Sequence, residues 1–156
     1  MPAVHIFESK QFLPISLSEA WDFFSTPDNL RVLTPDYLQM TITSRSGALK
    51  IYTGQIISYR LKPIFGIPVS WVTEITHVSE RCFFVDEQRF GPYAFWHHTH
   101  IFLAVPGGVE MRDMVHYKLP LGFLGRWAHM LFVRRQLEDI FKFRKNYLDQ
   151  KYHSGK

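Results

Sequence analysis

Apolar and polar residues alternate along most of the chain, and the period of the alternation changes near both ends. Residues 3–13 mix the two kinds of position and predict a first strand, which Pro14 ends. A period of two then dominates from Leu38 to Tyr117, where β-branched and aromatic runs are separated by turn residues rich in glycine and proline. The short connections favour antiparallel neighbours. The runs predict six further strands, at 38–45, 52–62, 67–78, 81–90, 94–105 and 109–118.

Helical signals lie on either side of this block of strands. Ser16 and Glu19 have the spacing of a capping box and predict a short helix. Thr26-Pro27 predicts a second short helix, which stops before Pro35. Residues 124–150 repeat apolar side chains in steps of three, four and seven, which predicts one long helix with a single apolar face. That face comprises Trp127, Met130, Val133, Leu137, Ile140, Phe141 and Leu148.

These elements predict an α+β fold in which seven antiparallel strands form a curved sheet around a long C-terminal helix, with two short helices after the first strand. The length of 156 residues suits one domain, which we expect to span 1–152, followed by a disordered tail at 153–156. One helix covers only part of a concave sheet. The rest of that face must be filled by side chains or left as a cavity.

Composition narrows the function classes. Aromatic residues make up 16% of the chain, enough to fill a core or to line a cavity for flat or apolar ligands. The net charge of +4 arises largely after residue 126, from residues such as Arg134, Arg144 and Lys151, and we interpret these cations as complements of a helix C-terminus. No nucleic-acid-binding signature accompanies the charge, so we expect no nucleic-acid partner.

The compartment is also predicted from the sequence. Cys82 is the single cysteine and so forms no intrachain disulfide, as is usual in a reducing compartment. The first residues lack the pattern of a signal peptide, and no run approaches the ~18 apolar residues that a membrane span needs. We therefore expect a soluble cytoplasmic protein without stable membrane insertion.

Strand alternation sorts several polar side chains onto the inward face of the sheet. The nine residues predicted to bind a ligand there are Tyr59, Trp71, Asp86, Gln88, Trp96, His98, His100, Asp113 and Tyr117.

The polar members of this set have four interpretations. They form a satisfied core network, the polar end of a ligand pocket, a metal site or an acid–base pair. The metal alternative uses His98 and His100, with Asp113 or Asp86 as a third ligand, but a His-X-His pair alone is a weak signal. The sequence prediction therefore includes no metal, no cofactor and no assigned catalytic residue.

Four sequence runs carry a resemblance to a known group. They are 84–88 (FVDEQ), 91–100 (GPYAFWHHTH), 111–117 (MRDMVHY) and 119–125 (LPLGFLG). With the element order, they resemble the SRPBCC, or START-like, superfamily of helix-grip domains, which includes polyketide cyclases, and within it a bacterial ligand-binding subfamily. The resemblance implies an internal cavity for a small hydrophobic molecule such as a lipid, an isoprenoid or a polyketide-like ring. It also implies an epimerase-like partner domain, because some relatives are fused to one.

Two function classes remain open from the sequence. The first is binding of a small hydrophobic molecule between the sheet and the C-terminal helix. The second is a cyclase, dehydratase or isomerase that uses the inward His and Asp residues as acid and base. Residues 119–125 are apolar but contain two glycines and a proline, so they form either a mobile flap beside loop 63–66 or an ordinary buried connection. Their apolar side chains would alternatively touch a membrane surface or a partner domain.

Overall fold

Seven strands form one continuous antiparallel sheet in the computed structural model, which describes residues 4–122, 124, 127 and 129–153. The order across the sheet is β1-β7-β6-β5-β4-β3-β2. The first strand therefore pairs with the last, and strands β2 to β7 each pair with the strand that precedes or follows them in sequence. The strands are β1 (His5–Leu13), β2 (Thr41–Arg45), β3 (Ile56–Ile64), β4 (Ile67–Ser79), β5 (Phe83–Phe90), β6 (Phe95–Val105) and β7 (Gly108–Lys118).

Helices fill the gap after β1 and the C-terminal end of the chain. Helix α1 (Leu17–Phe24) begins where the Ser16 Oγ accepts a hydrogen bond of 3.1 Å from the backbone N–H of Glu19, as the capping-box spacing predicts. Two 3₁₀ turns follow, at Pro27–Leu30 and Asp36–Leu38. A π-helix at His129–Val133 leads into the long helix α2 (Arg134–His153).

The second predicted helix is present as a 3₁₀ helix that begins at Pro27, whereas two predicted strand starts are wrong. The segment after Pro27 makes only 3₁₀ turns. Strand β2 starts at Thr41 because Gln39, at φ 45°, ends the second turn in a left-handed conformation. Strand β3 starts at Ile56 because the loop before it is closed by Gln55, whose fully buried amide donates to the carbonyls of Ser46 and Ala48.

The predicted apolar face of the long helix holds from Val133 onwards but not at Trp127. Leu137, Phe141 and Leu148 are buried as expected, but the side chain of Trp127 is 59% exposed. A π-helix has hydrogen bonds from i to i+5 and adds a residue to the turn, so positions before it fall out of phase with the later stripe. Trp127 lies before the wide turn at His129–Val133, and so before the point where the regular 3.6-residue period begins.

The core joins both sides of this α+β fold. Leu137 and Phe141 of α2 pack with Val115 and Tyr117 of β7, whereas Leu148 packs with α1 and the far ends of the strands. The architecture is the expected helix-grip form, a curved antiparallel sheet with a long C-terminal helix. Among the residues that the structure describes, no helix has the length and apolar character of a membrane span.

Candidate functional site

A cavity of about 590 Å³ lies between the concave face of the sheet, the N-terminal helices and α2. Its volume falls within the ~300–1,000 Å³ typical of small-molecule sites. Most of the described lining side chains are apolar or aromatic. They include Phe24, Leu33, Leu38, Met40, Ile57, Leu61, Trp71, Ile75, Phe84, Tyr93, Trp96, Leu119, Leu121, Leu124, Val133, Leu137, Ile140 and Phe141.

Among the described lining residues, four have ionisable side chains other than tyrosine: Asp86 of β5, His98 and His100 of β6, and Arg144 of α2. Strand register brings the first three together, since Asp86 lies directly opposite His98 and His100 lies directly opposite Asp113 of β7. Together with Asp113, the four lining side chains form one group of five, which we call the inner cluster.

The two hydrogen bonds between imidazoles and carboxylates in the inner cluster run diagonally across the strands. His98 Nε2 lies 3.0 Å from Asp113 Oδ1, and His100 Nε2 lies 2.7 Å from Asp86 Oδ2. His98 Nδ1 is 3.5 Å from the same Asp86 oxygen. His100 Nδ1 is 3.0 Å from Asp113 Oδ1 but is not aligned for a hydrogen bond with it. The two imidazole rings lie next to each other, with their centroids 3.7 Å apart and their planes tilted by 35°.

Neighbouring side chains fix the rings and carboxylates in place. The Trp96 indole N–H donates to Asp86 at 3.3 Å, and the ring of Phe84 stacks on His100 at 4.1 Å. The Arg144 guanidinium lies 3.3 Å from Asp113 and over the rings of Phe24 and Phe141. Such a bonded arrangement allows charges to lie in an apolar interior, where isolated charges are costly.

The pKa shifts of the inner cluster follow from burial and mutual attraction. Burial opposes ionisation of Asp113, but the Arg144 charge and the bonds from both imidazoles hold its pKa well below the usual value. The pKa of Asp86 is also lowered, because His98 and His100 outweigh its burial. Burial, together with the charge of His100, lowers the pKa of His98. Burial acts in the same direction on His100, but Asp113 and Asp86 outweigh it and raise the His100 pKa. The shifts therefore favour the ionised form of both carboxylates and, of the two imidazoles, the charged form of His100.

The cavity wall contains six of the nine residues predicted to bind a ligand: Tyr59, Trp71, Asp86, Trp96, His98 and His100. The other three lie on the inward face but are not lining residues. Gln88 uses its amide to accept from the Tyr93 N–H and donate to the Tyr93 carbonyl, filling the space above Gly91. Asp113 lies behind the two histidines. Tyr117 packs in the core, beside the rings of Tyr93 and Trp96.

Arg144 is the residue of this site that the sequence interpretation missed. Its charge was attributed to the helix C-terminus, yet the residue is buried and paired. A signal was available, because Leu137, Phe141, Arg144 and Leu148 follow one another in steps of four, three and four. A cation inside an apolar helical stripe predicts a buried acidic partner.

A second polar group occupies the opposite face of the same strands, and we call it the outer cluster. Glu87 of β5 lies 2.6 Å from His97 of β6 and 3.3 Å from Arg89, which also bonds Glu74 at 2.6 Å. These side chains are partly exposed to solvent. They point away from the cavity and are not among its lining residues.

The cavity rim contains part of the predicted flap. Leu119, Pro120, Leu121 and Leu124 line the cavity, and Leu121 is 74% exposed. Across the rim, the Gln136 side chain donates to the Pro63 carbonyl at 2.6 Å and connects α2 to the end of β3. Residues 123 and 125 lie outside the described residues, and the mobility of 119–125 stays a prediction.

Solved structures similar to this one share its fold across nearly the whole chain. Protein Ms6760 from Mycobacterium smegmatis matches with a TM-score of 0.66 and 14% identity over 96% of this chain and 98% of its own. Ara h 8.0201 matches with a TM-score of 0.62 and 17% identity over 94% and 98%. A nucleoside-diphosphate sugar epimerase from Corynebacterium glutamicum matches with a TM-score of 0.64 and 18% identity, over 91% of this chain and 28% of its own.

Sequence comparison is less informative than structure here. No protein-family model matches the chain, and no curated protein matches it. At these identities a structural likeness is evidence of the fold alone. The chain has a helix-grip fold, and its assignment to the SRPBCC superfamily and to the bacterial ligand-binding subfamily stays a prediction.

Proposed function

We propose that this protein binds one small amphipathic molecule in the cavity, with the apolar body against the aromatic wall and a polar group at the inner cluster. The observation that carries the proposal is the division of the cavity lining. Most of its described members are apolar, whereas Asp86, His98, His100 and Arg144 belong to one bonded group. Pockets that orient a ligand combine an apolar surface with a few converging polar groups in this way.

The apolar part of the lining favours a ligand with a ring or branched chain. Trp71, Tyr93 and Trp96 contact one another, with Trp71 and Trp96 edge to face at 5.0 Å between centroids. Such an aromatic corner presents flat surfaces and ring edges to a ligand. Lipid, isoprenoid and polyketide-like molecules all offer the required apolar area, and the inner cluster selects those with a hydrogen-bonding group.

Fluorescence titration tests the proposal directly. In a Trp21→Phe/Trp127→Phe variant, the core and the exposed indoles are removed, and the two tryptophans that remain, Trp71 and Trp96, line the cavity. We expect amphiphiles from an aromatic and isoprenoid panel to shift or quench this emission saturably. Native mass spectrometry of the freshly purified protein should then identify a bound molecule in one-to-one ratio.

A cavity-filling substitution provides the matched control. Leu61→Trp adds a large side chain at a partly buried lining position, whereas Ile67→Trp adds it at an exposed position that is not a lining residue. Calorimetry should show ligand binding lost in the first variant and kept in the second. Equal affinity in the two variants, or a wild-type emission that no ligand in the panel alters, would contradict the cavity as the binding site.

A second candidate function is proton transfer on the bound molecule. The observation favouring it is that His98 and Asp86 both line the cavity, 3.5 Å apart, where an imidazole can reach a bound ligand. It requires that a cyclisation, dehydration or isomerisation of the identified ligand stops in His98→Gln while binding is retained. Retained turnover in that variant would exclude His98 as the acid–base group.

A further inference from the structure

The two imidazoles of the inner cluster bridge the same two carboxylates. His98 directs Nε2 towards Asp113 at 3.0 Å and Nδ1 towards Asp86 at 3.5 Å. His100 directs Nε2 towards Asp86 at 2.7 Å, and its Nδ1 lies 3.0 Å from Asp113. Each ring therefore presents one nitrogen to the cavity-lining Asp86 and the other to the more deeply placed Asp113.

This arrangement contains the parts of a metal site. Asp86, His98 and His100 each offer one ligand atom, and these atoms all lie within 4.8 Å of one another. Two donor atoms that each lie ~2.0–2.2 Å from one ion are at most about 4.4 Å apart, so these side chains need to close in only slightly to share an ion. The Nδ1 of His100 is buried without an aligned hydrogen bond, and a small ring rotation towards Asp113 would supply one.

Asp113 occupies the place of an outer partner. Histidines that bind metals donate their other N–H to a carboxylate or carbonyl, which fixes the ring and its tautomer. Asp113 lies 3.0 Å from the far nitrogen of both rings, and Arg144 holds it from the helix side at 3.3 Å. The ligands and their outer partner are thus in place on three adjacent strands.

We propose that Asp86, His98 and His100 bind one divalent transition-metal ion, with Asp113 as the shared hydrogen-bond acceptor for both imidazoles. Two nitrogens and one oxygen suit zinc, iron(II) or cobalt(II). Three protein ligands leave at least one coordination position open, which is the pattern of sites that bind a ligand at the metal. All three ligands line the cavity, so the open position faces it.

The net charge of the occupied site indicates which chemical group of a ligand would bind there. This step rests on the cavity-binding function proposed above. Asp86 and Asp113 supply two negative charges, Arg144 supplies one positive charge, and a divalent ion with neutral imidazoles leaves a net charge of +1. Burial makes an uncompensated charge costly. An oxygen anion on the cavity molecule, such as a carboxylate, an enolate or an ionised phenol, would neutralise it as the additional metal ligand.

Metal titration of chelator-treated protein tests the site. Cobalt(II) followed by visible absorption, and zinc(II) followed by calorimetry, should both saturate at one ion per chain and release protons, because metal ligands bind deprotonated. Asp113→Asn should weaken binding by about 10–100-fold, the usual effect of losing an outer partner. Asp86→Asn removes a ligand and should weaken binding further.

Glu87→Gln is the matched control. It removes a carboxylate from the adjacent position on the same strand, on the outer face, where it contacts His97. Its metal affinity should equal that of the wild type. If Asp86→Asn binds as tightly as the wild type, or if the wild type gives no saturable cobalt(II) spectrum, the metal site does not exist.

Two further readouts keep the test decisive. Where a variant does not fold, NMR of the wild-type chain should show the ring resonances of His98 and His100 shifting with zinc(II) while those of His97 do not. Unchanged inner resonances would overturn the proposal. Amphiphile binding measured in chelator separates the two hypotheses, since binding without metal uptake refutes only the metal site, and metal uptake without amphiphile binding refutes only the proposed function.

Discussion

The inner and outer clusters both contain carboxylates, histidine and arginine, and both join β5 to β6 through a contact between a histidine and a carboxylate. They differ mainly in how deeply these side chains are buried. Asp86 and Glu87 are consecutive residues, and each meets a histidine of β6 at 2.6–2.7 Å. The His100 side chain is 7% exposed, whereas that of His97 is 29% exposed. Water screens the outer pair and can replace its partners, whereas the buried inner groups depend on one another and on the Trp96 indole. We therefore expect His–carboxylate contacts of similar length to contribute more to the unfolding free energy in the inner cluster than in the outer cluster.

The largest expected effect is the loss of the buried cation. Arg144→Met keeps much of the side-chain volume but leaves Asp113 without its ion-pair partner, which should cost about 3–5 kcal/mol of unfolding free energy. Urea denaturation measures this, with the exposed Lys142→Met on the same helix as the control. A loss no larger than that of the control would mean that the inner cluster does not depend on Arg144.

Coupling inside the inner cluster sharpens the comparison. His98 and Asp113 are in contact, so His98→Ala, Asp113→Ala and the double variant should show a coupling of ~0.5–3 kcal/mol in unfolding free energy. A structural network predicts that each single variant is clearly destabilised. A cluster held for ligand binding predicts variants as stable as the parent that have lost ligand affinity. Additive stabilities with unchanged ligand binding would contradict both interpretations.

The smallest effect belongs to the outer cluster. Glu87→Gln and His97→Gln should each change unfolding free energy by less than about 1 kcal/mol, because partly exposed ion pairs contribute little. Their coupling should shrink further in 1 M salt, where the Debye length is about 3 Å. An outer coupling as large and as insensitive to salt as the inner one would break the distinction drawn here.

Strand alternation predicted the inward groups because a period of two leaves little choice. His98, His100 and Asp113 are buried, as the more polar character of the opposite faces indicates. Alternation does not predict the register between neighbouring strands. That register places Asp86 opposite His98 and His100 opposite Asp113. Gln88 shows the consequence, since its face was predicted but its engagement by the Tyr93 backbone depends on a turn.

The helical part was less predictable for a different reason. The apolar spacing correctly located α2. The π-helical turn before it has no simple sequence pattern, and the prediction that Trp127 belongs to the buried face is wrong. Arg144 was assigned by its charge rather than by its position in the stripe. A polar residue at a core spacing is the stronger signal, because burial without a partner is so unfavourable.

The pairing of the first strand with the last has a consequence for how the chain folds. Strand β1 can hydrogen-bond with β7 only after almost the entire sheet has been synthesised, since Leu13 pairs with Val109 and His5 with Tyr117. Contacts so distant in sequence require closure of a long loop and slow the folding of a domain. During synthesis on the ribosome, β1 would therefore have no strand partner while β2 to β6 form successive hairpins. The sheet edge at β7 is then the last to close, and it is the place where a nascent chain would be most exposed to pairing with another copy.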